Sequence, residues 1–123
     1  MPLARRGRVA EGSELFGKAL EHFVIQEVRA YLSYRRLDLP LCYWRSTTQQ
    51  EVDLVVGDAL AVEIKGTSRV DPRHLTGLKA LQEERKVRRF TVVSCDPLAR
   101  QVGPIQLVSW RRFLDDLWTD RLF

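Results

Sequence analysis

The chain has 123 residues, 45% of them hydrophobic, and carries 20 Lys and Arg against 16 Asp and Glu for a net charge of +4. That size and apolar share suit one domain with a real core, while no run approaches the roughly 20 apolar residues of a membrane helix and no apolar stretch of a secretory signal opens the chain, so a cytoplasmic protein with no membrane partner is expected. Arg5, Arg6 and Arg8 supply three of the four net charges, and 4 less 3 leaves +1 on residues 9–123, so total charge alone does not mark a nucleic-acid binder.

Residues 1–12, MPLARRGRVAEG, lack periodicity and hold Pro2, Gly7 and Gly12; they read as a flexible basic arm, with the domain over 13–123. Ser13 suits a helix cap, and Phe16, Ala19, Leu20, Phe23, Val24, Tyr31 and Leu32 recur at helical spacing to about Ser33. After Pro40, the aromatic-rich LCYWR (41–45) suits a strand, and the polar loop STTQQ leads into a second, antiparallel strand, EVDLVV (51–56). LAVEIK (60–65) resumes the alternation after Gly57, Asp58 and Ala59, giving a third strand folded back on the second.

Asp71 and Pro72 mark a helix start with an acceptor cap and proline at the first position, followed by Leu75, Leu78 and Leu81 to about Lys86. RRFTVVS (88–94) then reads as a buried strand, parallel to the third by a right-handed crossover. Ile105 to Val108 suits a short edge strand. Trp110, Phe113, Leu114, Leu117 and Trp118 give a closing helix that starts near Ser109. Cys42 and Cys95 lie inside apolar runs with no Cys or His at ligand spacing, which predicts buried thiols in neither a zinc site nor a disulfide.

Chemistry gathers on the second and third strands. Alternation puts Val52, Leu54 and Val56 on one face and Glu51, Asp53 and Val55 on the other; in the third strand Leu60, Val62 and Ile64 oppose Ala61, Glu63 and Lys65. A three-residue loop pairs Val56 with Leu60 and Leu54 with Val62, so Asp53 falls opposite Glu63. Two carboxylates facing each other about 5 Å apart at Cβ repel unless something neutralises them. A magnesium ion does so, since it takes one or two carboxylates, keeps several waters and accepts a phosphate oxygen; the Ile64 carbonyl is a further ligand candidate. Lys65, on the same face as Glu63, can set its ammonium against an attacking water or the phosphate, and Gly66 leaves room for a phosphate backbone. The bland alternative is a half-exposed strand with a surface ion pair between Glu51 and Lys65. His22 and His74 are lone histidines without partners at ligand spacing, and Arg69, Arg73, Lys79, Arg85, Lys86, Arg88 and Arg89 either track a phosphate backbone or form a solvated face.

These residues carry a resemblance. A helix with GKALE, a strand with EVDLVVG, a strand with VEIK and then a helix and a strand resemble the PD-(D/E)XK nuclease superfamily, with Gly17 to Glu21 similar to the GxxxE of archaeal Holliday-junction resolvases. More closely, LFGKALEHFVIQEV, YWRSTTQQEVDLVV, VEIKGT, LTGLKAL and FLDDLW are similar to the uncharacterised C-terminal domain attached to many prokaryotic AAA-type ATPases, over about residues 13–118. The resemblance implies an α/β fold of restriction-endonuclease type: an αβββαβ core with a mixed central sheet flanked by helices. It also implies Mg²⁺-dependent hydrolysis of phosphodiester bonds in DNA leaving a 5′-phosphate, with Mn²⁺ as a substitute, and site residues Glu21, Asp53, Glu63 and Lys65. Val52 stands where the superfamily has proline, and no GxxxxGK[ST] occurs, so this chain is not expected to bind ATP through a P-loop. The alternative function is a non-catalytic interaction or regulatory module of such an ATPase.

The helix wheel offers Glu27 as a second carboxylate near the middle of the apolar stripe, where it needs a structural partner; Glu21, on the flank, is preferred for the site. Trp118, Leu122 and Phe123 offer apolar surface at the chain end, which suggests a homodimer.

Overall fold

The computed structural model describes residues 13–123, so the expected basic arm over 1–12 lies outside the described residues. The Ser13 hydroxyl accepts from the Phe16 amide at 3.1 Å and starts helix α1 (Glu14–Arg35), which left-handed Arg36 closes at φ 57. Strands β1 (Leu41–Arg45), β2 (Glu51–Val56) and β3 (Leu60–Ile64) follow, then a 3₁₀ turn (Pro72–Leu75) running into α2 (Thr76–Glu84). Strands β4 (Arg89–Ser94), β5 (Arg100–Val102) and β6 (Ile105–Ser109) lead to α3 (Trp110–Trp118), capped by the Ser109 hydroxyl on the Arg112 amide at 3.1 Å.

The fold is mixed α/β. Its six strands lie in the order β1-β2-β3-β4-β6-β5, with β3/β4 and β4/β6 parallel and the other neighbours antiparallel. Helices cover both faces. Val24 and Val28 of α1 and Phe113 and Leu117 of α3 close over Val62 and Val93, while Leu78 and Leu81 of α2 close over Val55, Ala61 and Val92. Strands β3 and β4 are therefore buried on both sides, which is why they read as nearly continuous apolar runs.

Several expectations need correction. The second strand does not alternate as the sequence suggests: between Cys42 and Trp44 β1 supplies one residue, whereas β2 supplies Asp53 and Leu54. This bulge reverses the parity, so Val52 joins Val55 and Ala61 beneath α2 while Leu54 and Val56 face α1. The helix expected to run from Asp71 to about Lys86 divides, because Asp71 and His74 form a capping box around a 3₁₀ turn, and α2 ends at Glu84. Ile105–Ser109 is not the edge: the wholly exposed Arg100–Val102 pairs outside it through a tight turn with Gly103 at φ 58. Cys42 is exposed, since β1 is the opposite edge strand, and Cys95 is half-buried; neither is in a disulfide.

The apolar chain end is also committed internally. Leu122 is buried, the Phe123 ring stacks on Tyr31 at 5.7 Å, and Trp118 meets Tyr31 edge-on at 5.4 Å. Trp118 is still 36% exposed, so α1 covers only part of the surface on which a homodimer was expected. Among the described residues no helix is long and apolar enough to cross a membrane.

Candidate active site

The hairpin has the expected register, with Val56 opposite Leu60, Val55 opposite Ala61 and Leu54 opposite Val62. One step further the backbone ladder stops and side chains replace it. Asp53 Oδ2 accepts from the Ile64 amide at 2.7 Å, and Glu63 Oε1 accepts from the Asp53 amide at 3.2 Å. The bulge at Asp53 and Leu54 is what ends the ladder here, and it leaves the two carboxylates in the gap between the strands. They do not stand side by side on the face of a continuing ladder, as strict alternation had them.

Glu63 is only 7% exposed, while Asp53 is half-buried. The Lys65 ammonium lies 3.6 Å from Glu63 Oε2. Burial, followed by the hydrogen bond and charge of Asp53, pushes the Glu63 carboxyl up to about 8 against the opposing pull of Lys65. Desolvation and the like charge therefore outweigh the ion pair and favour the protonated form of Glu63.

The Lys65 amide donates to the Val93 carbonyl at 2.9 Å on the β4 side, whereas the Ile64 amide donates toward β2. Because the N–H and C=O of one strand residue point the same way, the Ile64 carbonyl faces the same gap as Asp53.

Glu21 approaches from α1. Its carboxyl is raised by partial burial and then by the charge of Asp53, and lowered by Lys18 and Lys65, so it shares the electrostatic surroundings of the strand residues. Glu27 has a different role: its Oε1 accepts the Trp118 indole N–H at 3.0 Å and ties α1 to α3. The structure thus brings Glu21, Asp53, Glu63 and Lys65 into one neighbourhood and leaves Glu27 outside it.

A contact between glycines sets the position of Glu21. A Cβ added to Gly66 would lie 2.9 Å from Gly17 Cα and 3.0 Å from the Phe16 ring, so the end of β3 and the first turns of α1 touch backbone to backbone. Gly66 is required for helix packing, which corrects the expectation that it opens space for a phosphate. Gly17 lies one turn before Glu21, and the close approach brings that turn toward Asp53. The sequence spacing GxxxE carries the helix half of this contact, but only the fold shows Gly66 as its partner.

Several other charged residues have local partners. Arg45 Nη2 meets Glu51 Oε2 at 3.1 Å, so the surface pair imagined between Glu51 and Lys65 is replaced by one along the first hairpin. His74 Nδ1 accepts from the Asp71 amide at 3.0 Å, and Arg73 pairs with Asp71 at 3.1 Å. Arg85 donates to the Gly57 carbonyl at 3.3 Å.

Among the described residues no group of three or more His, Cys, Asp and Glu side chains is placed to hold a metal ion. A magnesium ion does not need such a cage, since one or two carboxylates suffice when waters and a phosphate complete the octahedron. Asp53, Glu63 and the Ile64 carbonyl would offer an all-oxygen set to a hard cation, whose charge would oppose the burial and the Asp53 charge that raise the Glu63 carboxyl.

A family model described as a domain of unknown function (DUF4143) matches residues 16–111, a span that includes all four site candidates. No curated protein and no solved structure matches the chain.

Proposed function

The chain belongs to the DUF4143 family, and we propose that this member hydrolyses phosphodiester bonds in DNA at a divalent-metal site held by Asp53, Glu63 and the Ile64 carbonyl. The observation that carries the reading is the pair of carboxylates lodged in one gap where the β2–β3 ladder ends, with Lys65 beside them. The element order, one helix, three strands, a helix and a strand, supports assigning the fold to the restriction-endonuclease type, with the PD-(D/E)XK residues at Asp53, Glu63 and Lys65.

When bound, Mg²⁺, or Mn²⁺ in its place, would polarise the phosphoryl oxygen and favour deprotonation of a coordinated water. Asp53, Glu63 and the Ile64 carbonyl would hold the ion, both acids as carboxylates, and Glu21 would orient a water or help to hold a second cation from the α1 side. Lys65 holds its ammonium against the attacking water or a non-bridging oxygen, where fixed positive charge favours the transition state. The water oxygen forms a bond to phosphorus, the bond to the 3′-oxygen breaks, and that oxygen takes up a proton. The products are a 5′-phosphate and a 3′-hydroxyl.

Purified protein incubated with supercoiled, branched and single-stranded DNA in Mg²⁺ or Mn²⁺ tests this directly. Cleavage by the wild type and none by Asp53→Ala is expected. Cleavage that survives Asp53→Ala would assign the activity to a contaminant, and no cleavage of any substrate would leave the interaction-module reading.

A further inference from the structure

Beside the candidate metal site, α1 and the outer hairpin enclose a groove of about 180 Å³, several times the roughly 30 Å³ share of one water. Ile25, Leu41 and Leu54 supply apolar walls, Asp53 lines the end nearest the metal site, and Arg29 and Tyr43 supply the polar rim. Resting on the reading of Asp53 and Glu63 as a phosphodiesterase site, we propose that this groove receives an unpaired nucleotide next to the scissile phosphate, so that the substrate is single-stranded or locally opened DNA.

Three features select that occupant. Tyr43 is 54% exposed although it stands on a strand, and Arg45 lies over its ring with the guanidinium carbon 6.0 Å from the centroid. Tyr43 lines the groove, so its ring offers an aromatic surface there. Base stacking on such a ring does not depend on sequence, but it requires a base that has left its duplex.

Arg29 provides the second feature. Its side chain is exposed, donates to Gln26 at 3.4 Å and makes no ion pair among the described residues, so its charge is available to a phosphate. The third feature is continuity, because Asp53 belongs both to this groove and to the carboxylate gap. A strand whose phosphate sits at Asp53 and Glu63 has its neighbouring base beside Tyr43 and its neighbouring phosphate beside Arg29. A duplex presents no free base face.

The test is fluorescence-anisotropy binding of a labelled single-stranded deoxyoligonucleotide and its duplex, with Ca²⁺ present and Mg²⁺ and Mn²⁺ removed. Tyr43→Ala should weaken single-strand binding by about 5- to 150-fold and leave duplex binding unchanged, while Tyr43→Phe retains the wild-type affinity. Arg29→Ala should weaken single-strand binding and lower its salt dependence by about one phosphate contact. Removing the base at one position of the oligonucleotide should reproduce the Tyr43→Ala loss. Unchanged single-strand binding by Tyr43→Ala, or equal losses on both DNAs, would overturn the proposal.

Mn²⁺-dependent melting of Tyr43→Ala separates this from the metal-site reading. A retained metal response with unchanged DNA binding rejects the groove alone. A wild type that ignores Mn²⁺ rejects the metal site, while the binding comparison still decides what the groove holds.

Discussion

Replacing Glu63 by glutamine should stabilise the metal-free protein above about pH 6 and flatten its dependence on pH. In the unfolded chain this carboxyl titrates near 4.5, and in the folded protein burial and Asp53 raise it to about 8. Between those values the folded state keeps a proton that the unfolded state has released, so stability falls as pH rises; the contribution is fully present below 4.5 and lost by about 8. At about 1.4 kcal/mol per pH unit the interval amounts to at most about 5 kcal/mol. Glutamine can still accept from the Asp53 amide and can donate toward the Asp53 carboxylate, imitating the protonated acid without titrating. Urea denaturation in EDTA from about pH 5 to about pH 9 reads the effect. A loss of about 3 kcal/mol moves the wild-type midpoint down by roughly 1–3 M, whereas Glu63→Gln holds its midpoint. A flat wild-type profile, or a glutamine variant with the same slope, would refute the reasoning.

Mn²⁺ at about 100 times its dissociation constant should stabilise the wild type by about 2.7 kcal/mol, moving the melting temperature by several degrees in differential scanning calorimetry; Asp53→Asn and Glu63→Gln should each remove most of that shift. Lys65→Met should keep the Mn²⁺ response yet suppress DNA cleavage, as measured by product formation under single turnover. Gly66→Ala should cost roughly 1–3 kcal/mol in urea denaturation, because its Cβ meets the backbone of Gly17, and should also reduce turnover by moving Glu21 away from Asp53.

The parts legible in the sequence are those governed by local rules. Ser13 and Ser109 cap their helices, Leu41–Arg45 and Glu51–Val56 form strands with the expected bounds, and the hairpin register follows from the loop at Gly57 to Ala59. That register placed Asp53 and Glu63 near each other before any coordinates. The bulge was hidden, because Val52, Leu54 and Val56 are all apolar and both sheet faces are covered, so strict alternation and a parity reversal at Asp53 bury the same residue types. Strand β5 was hidden for the opposite reason: Arg100, Gln101 and Val102 are exposed and show no apolar alternation. The partners of Gly66 and Glu27 depend on how helices settle on the sheet, which neither spacing nor composition specifies.

Anomalous scattering from a crystal soaked in Mn²⁺ tests the central claim most directly. The account predicts a peak in the gap between Asp53 and Glu63, within about 2.0–2.3 Å of one oxygen of each carboxylate and of the Ile64 carbonyl. A fully soaked crystal with no peak in that gap, and with Glu63 still bonded to the Asp53 amide, would contradict it.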